Sequence, residues 1–162
     1  MIMSTPRPHR RDYPYHTAIT TRWMDNDVYG HVNNVAYYSY FDSAANLFLI
    51  REGGLDIARG DVIALVVESA CQYHAPIAYP EALVAGVRVD KLGHRSVTYG
   101  IAIFRTPPGI DPVADADAEL AVAHGHFVHV FVDRASRHAT PIPPAMRTAL
   151  ERIVAASPTP AA

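Results

Sequence analysis

From Asn34 to Leu49 the apolar residues Val35, Ala36, Tyr37, Tyr38, Tyr40, Phe41, Ala44, Ala45, Leu47, Phe48 and Leu49 recur at helical spacing, and Ser39, Asp42, Ser43 and Asn46 leave only a narrow polar stripe. A helix that is apolar around most of its circumference has to be enclosed, so this segment dictates that the rest of the chain wrap around it. Asn33 or Asn34 caps its start and Gly53-Gly54 follows Arg51-Glu52 as a stop signal, which sets a helix of roughly 17 residues.

What is left to do the wrapping is mostly strand-like. Tyr15 to Arg22 reads as a first strand, and four further runs at about 62–74, 82–91, 95–105 and 119–133 follow the helix. They are separated by Pro76 to Glu81, by Leu92-Gly93-His94 and by the loop Thr106 to Asp117. Runs joined by such short turns predict an antiparallel meander, and one helix cannot cover both of its faces. The expected architecture is therefore α+β, an antiparallel sheet of five or six strands wrapped around a long central helix. In the third run Val97, Tyr99, Ile101 and Ile103 share one face, while Ser96, Thr98, Gly100 and Ala102 form a small-residue face suited to lie against another surface. Pro143-Pro144 before Ala145 to Ala155 predicts a short terminal helix. Residues 1–12, rich in Pro and Arg, are expected to form a flexible arm, 13–156 one domain, and 157–162 a frayed tail.

Composition narrows the function classes. A net charge of −2 argues against a nucleic-acid partner, and the absence of a long apolar run argues against a membrane span or a signal peptide. Cys71 is the only cysteine, which excludes an intrachain disulfide and favours a reducing, cytoplasmic setting. Its place in a strand suits a small buried hydrophobe better than a nucleophile.

Chemistry concentrates just ahead of the helix. Arg22-Trp23-Met24-Asp25-Asn26-Asp27-Val28-Tyr29-Gly30-His31-Val32-Asn33-Asn34 delivers two carboxylates, a glycine, a histidine and two asparagines to a helix N-terminus. Unpaired N–H groups and the positive end of the helix dipole suit that terminus to a carbonyl oxygen gaining negative charge or to an anion. By composition alone the same letters also describe an ordinary turn leading into a capped helix.

The run Asp25-x-Asp27-x-x-Gly30-His31-Val32-Asn33-Asn34, with Tyr37, Tyr38 and the Phe41-Asp42 pair, resembles the signature of hotdog-fold acyl-CoA thioesterases of the 4-hydroxybenzoyl-CoA thioesterase type. The resemblance continues through Val66 to Leu83 with its Tyr79-Pro80 turn, through Val89 to Val97, and through Ala123 to Asp133, so it spans roughly residues 13–145. It implies hydrolysis of an acyl-CoA thioester without a cofactor or metal. Carried over residue by residue, the catalytic aspartate falls on Asp27, acting as a nucleophile through a mixed anhydride or as a general base on water. The N–H that polarises the thioester carbonyl falls on Asn34, and Gly30 permits close backbone approach. His31 positions the loop or bonds near the site. Asp25 is expected to brace the turn.

The resemblance further implies a homodimer, in some cases a homotetramer, with active sites at the subunit interface. His94, Arg95 and Ser96 match the turn that contacts CoA phosphates, although the basic cluster is here reduced to Arg95 with Lys91 nearby. Tyr37 is a candidate for the acyl pocket, and Glu68 a further acid near the channel, on the strand that the partner subunit is expected to contribute to it. Acyl carrier protein is an alternative to CoA as the thiol carrier.

Two other readings compete. A hotdog enoyl-thioester hydratase or dehydratase would need one more residue between Asp27 and His31 and an Asn-Pro step, both missing. A noncatalytic acyl-thioester binding protein would keep the fold without turnover. Nine histidines raise the question of a metal, but a strand puts His124 and His126 on one face and His129 on the other, so no metal site is expected.

Overall fold

A computed structural model of the chain describes residues 6–106 and 120–156. Its first helix, α1 (Asn34–Gly53), has 20 residues and is capped as its sequence dictates: Asn33 Oδ1 accepts from Val35 N–H, and Gly54 ends it in the left-handed region at φ 71°. Tyr37, Tyr40, Phe41, Ala44, Ala45, Phe48, Leu49 and Gly53 are its buried residues. Around it curls one antiparallel sheet of five strands, β1 (Tyr15–Thr20), β2 (Val62–Tyr73), β3 (Ala82–Leu92), β4 (Ser96–Arg105) and β5 (Ala123–Asp133). The core lies between them, where Val87, Val89, Val97, Tyr99, Ile101, Ile103, Phe127 and Phe131 meet the helix. This is the expected α+β arrangement. A second helix, α2 (Pro144–Glu151), ends four residues before the expected Ala155 and packs on the C-terminal end of α1, with Met146 against Gly53.

The strand order corrects the expected meander. It is β1-β3-β4-β5-β2, so β2 pairs with β5 and not with its successor β3. Residues 74–81 cross the ends of β5 and β4 to reach β3. His74 and Ala75 N–H groups donate to Val122 C=O, and Arg105 at the end of β4 holds Glu81 at 2.7 Å and donates to Pro76 C=O. Eight residues reach about 27 Å when extended, and three interstrand steps need only about 14 Å. A linker of this length therefore permits either pairing, which is why spacing alone did not separate them.

The crossing leaves β2 at the sheet edge. Leu65, Val66 and Val67 are exposed there, and a bulge between Val66 and Glu68 leaves Val67 without a cross-strand partner.

The arm is also corrected. Residues 6–12 pack on the outer face of the sheet: Pro8 C=O accepts from Ala121 N–H, Arg7 donates to Ala121 C=O, and Arg10 is 1% exposed. Tyr13 follows, clustering with Ala102, Phe104 and Ala121 and lying so close to Gly86 that a Cβ there would sit 2.8 Å from the ring. Ala102, from the small-residue face of β4, is thus covered from within the same chain. Residues 1–5, the tail 157–162 and positions 107–117 of the expected loop lie outside the described residues.

Candidate active site

The loop that enters α1 is held from below by Asp25. Its side chain is 3% exposed and accepts from the Arg22 backbone N–H at 2.9 Å, from the Arg22 guanidinium at 2.9 Å and from the Tyr40 hydroxyl at 2.7 Å. Burial raises the Asp25 carboxyl, but these bonds outweigh it and hold the group below its usual value. Asp25 C=O also accepts from Asn33 N–H, which ties the loop to the helix cap. Asp25 thus braces the turn, as its place in the motif suggested.

On this base Asp27 is turned outward. Its N–H donates to His31 C=O, its C=O accepts from Gly30 N–H, and Oδ1 accepts from Tyr29 N–H at 2.8 Å. The turn requires φ 81° at Gly30, the left-handed region where a side chain would be strained. Below it, Val32 N–H donates to Ile77 C=O and Asn26 Oδ1 accepts from Tyr79 N–H, so the crossing segment and the motif loop form one unit.

Asp27, His31, Asn34 and Tyr37 open into one cavity of about 420 Å³, faced by Tyr73, His74, Ala75 and Pro76 from the end of β2 and the crossing segment. At the helix start the Val35 and Ala36 N–H groups are taken by Asn33. Asn34 N–H has no protein acceptor among the described residues and remains as the donor of the first turn. The Tyr73 hydroxyl donates to Asn34 C=O at 3.1 Å, and its ring meets Tyr37 edge-on. Burial pushes the Tyr37 phenol up to about 12, so it stays protonated. A second concavity of about 250 Å³, lined by Trp23, Asn26 and Gly30, borders Asp27 on its other side. Asp27 therefore stands between two recesses beside a helix N-terminus. Such an arrangement can receive a carbonyl whose two substituents run in different directions.

The other expected site residues are elsewhere. Within one chain Glu68 does not line the cavity; its side chain is 66% exposed and bonded to His126 Nε2 at 2.7 Å. His94, Arg95 and Ser96 form the β3–β4 turn at the far end of an 11-residue strand, on the order of 30 Å away within the same chain. Cys71 is half-buried against the core, and burial pushes its thiol up to about 11, against a role as a thiolate. Among the described residues no three metal-ligating side chains converge. His129, facing the core against Tyr99, is kept neutral by burial with its pKa lowered to about 4.

Sequence reasoning missed His74. It follows the last residue of β2, and only the crossing of residues 74–81 turns that position toward the motif loop, so no local pattern marks it.

Residues 21–150 match the family model of the thioesterase-like superfamily. Among solved structures, the PA5185 protein from Pseudomonas aeruginosa strain PAO1 is similar at 47% identity and a TM-score of 0.85, over 94% of this chain and 99% of its own. A thioesterase superfamily protein from Jannaschia sp. CCS1 matches at 26% identity and a TM-score of 0.72, over 89% of this chain and 87% of its own. Slr0204, a 1,4-dihydroxy-2-naphthoyl-CoA thioesterase from Synechocystis, shares the fold at 18% identity and a TM-score of 0.67, over 84% of this chain and 94% of its own. No curated protein matches the chain.

Proposed function

The chain belongs to the thioesterase-like superfamily, and from that membership we propose that it hydrolyses an acyl-CoA thioester to the free acid and CoA, with Asp27 as the reacting carboxylate. One observation carries the reading: Asp27 and the N-terminal residue of α1 open into the same cavity.

In the proposed complex the thioester carbonyl oxygen accepts from Asn34 N–H at the helix start. Negative charge that builds on that oxygen as the carbon becomes tetrahedral is stabilised there, an effect worth about 10²–10³ in rate for one well-placed donor. Asp27 then takes a proton from a water that adds to the carbonyl carbon, or adds to it directly to give a mixed anhydride that water opens. Either way the C–S bond breaks and its electron pair leaves with sulfur. The recesses on the two sides of Asp27 suit the acyl arm and the thiol arm, and the protonated Tyr37 borders the larger one.

The functional unit we propose is a homodimer, able to assemble further into a homotetramer. The open β2 edge, with Leu65, Val66 and Val67 exposed, supports it, because an unpaired apolar edge is a template for a second strand. Two-fold antiparallel pairing of β2 reverses the partner's sheet, so the partner's Arg95 comes to the end of the joined sheet where this site lies. The 94–96 turn would then meet the CoA phosphates from the other subunit. The domain comprises residues 13–156 together with the packed segment 6–12. No helix among the described residues is long and apolar enough to cross a membrane; the cytoplasmic setting we propose rests on the single, unpaired Cys71.

The test is thiol release from a panel of short-chain, long-chain and aromatic acyl-CoAs by wild type and Asp27→Asn. The asparagine keeps an oxygen for Tyr29 N–H, so the fold is expected to stand while turnover drops by about 10²–10⁴. A variant that hydrolyses at the wild-type rate would move the chemistry away from Asp27.

A further inference from the structure

Two imidazoles connect the candidate site to a separate recess on the outer face of the sheet. His74 lines the cavity that holds Asp27, and His124 on β5 lines a recess of about 270 Å³ with Arg88, Asp90 and His126. His74 Nε2 and His124 Nδ1 are 2.7 Å apart. The ring planes differ by 7° with centroids 4.9 Å apart, so the rings lie nearly coplanar and edge to edge, with the two nitrogens aimed at each other. The remaining nitrogens, His74 Nδ1 and His124 Nε2, have no protein partner among the described residues. Each thus stays available on a ring that borders its own recess.

We propose that His74 is a catalytic acid of the thioester reaction, protonating the leaving sulfur, and that His124 is the positioning residue that resupplies it from the outer recess. This rests on the thioesterase reading above. The N–H···N bond supplies the reason. It needs an N–H on one ring and a lone pair on the other, which two neutral imidazoles of the same tautomer provide, both carrying the proton on Nδ1 or both on Nε2. Burial, and then Arg7 from the packed N-terminal segment, lowers the pKa of His74; burial, then His74 and Arg88, does the same for His124. Asp90 offsets Arg88 at 2.7 Å, and His126 is engaged with Glu68. The pair is thereby kept neutral.

The proton count closes. As the tetrahedral adduct collapses, the C–S electron pair goes to sulfur, and His74 Nδ1–H gives sulfur its proton. His124 Nδ1–H passes to His74 Nε2, and His124 Nε2 takes a proton from water in the outer recess. The proton that Asp27 took from the attacking water then goes to His74 Nδ1, His74 Nε2 passes its proton back to His124 Nδ1, and His124 Nε2 gives its proton to the hydroxide equivalent in the outer recess, which restores Asp27 and both rings. The sum is one water consumed, one thiol formed, and one proton released as the product acid ionises.

A leaving group's own basicity reads this role directly. An alkyl thiolate such as CoA needs a proton on departure, whereas an aryl thiolate departs without one. For one acyl group, His74→Asn is expected to lose about 30-fold or more in kcat on the CoA thioester and no more than about threefold on the thiophenyl ester. His124→Gln, outside the substrate cavity, is expected to show the same selectivity with a smaller loss and an unchanged KM. Asp27→Asn loses both substrates alike. Both histidine variants keep the backbone bonds of residues 74 and 75 to Val122, and unchanged thermal unfolding verifies their fold. Equal losses on the two thioesters, or none on the CoA thioester, would overturn the assignment while leaving thioesterase activity in place. A wild type that cleaves neither ester would overturn the thioesterase reading first, and this inference with it.

Discussion

Tyr40→Phe removes one oxygen from the protein and alters no apolar contact. That oxygen donates to Asp25 Oδ2 at 2.7 Å, and the two residues are 4% and 3% exposed. A hydrogen bond to a charged group in such a place contributes about 1.5–3 kcal/mol, and Asp25 keeps its bonds to Arg22. The expected loss is about 2 kcal/mol, a fall in Tm of about 4–8 °C for a chain of this size. Because the folded Asp25 carboxyl sits below its ordinary value, its contribution is complete above the unfolded pKa near ~3.9 and drains away as the pH falls through the lower folded value. The gap between wild type and variant should therefore be full at pH 7 and narrow in acid below about pH 4. Urea unfolding at both pH values, with Tyr40→Phe also placed in an Asp25→Asn background, measures the coupling. A cost under about 0.5 kcal/mol at pH 7, or the same cost with asparagine at position 25, would refute the claim that this bond anchors the motif loop to α1.

Gly125→Ala would bring a Cβ within 1.8 Å of Ala70 C=O and force β2 away from β5; we expect a loss of about 3 kcal/mol or failure to fold, and a Tm within about 2 °C of wild type would contradict that register. Val67→Lys charges the exposed bulge on the free edge, so sedimentation should show a shift from dimer to monomer with little change in unfolding temperature. A wild type already monomeric at tens of micromolar would remove β2 as the interface.

The parts legible in the sequence are those with short-range causes. Asn33 and Gly54 bound α1 because capping is decided within a turn, and β3 and β4 begin and end within a residue or two of their apolar runs. Asp25, Asp27, Gly30 and Asn34 were readable as a group because one loop and one helix start bring them together. What escaped depends on how distant segments meet. The β2–β5 pairing, and with it His74 in the cavity wall, follows from the path of residues 74–81, which the loop's length leaves open. The segment 6–12 looks polar and prone to disorder, yet Tyr13 behind it has a seat over Gly86 that only the folded sheet creates. The 94–96 turn matched its motif by letters alone, and one chain leaves it at the wrong end of the sheet.

Residues 74–79 are secured through main-chain groups. His74, Ala75, Pro76, Ile77 and Tyr79 all make their fastening bonds with a backbone N–H or C=O, and Glu81 adds a side-chain pair with Arg105. The side chains of Ala75 and Pro76, by contrast, face the cavity and take no part in that fastening. The wall can therefore be recut one side chain at a time while its frame stays where it is. A scaffold built this way can take up new acyl groups by small substitutions, each tolerated on its own, without first surrendering the fold that carries the reaction.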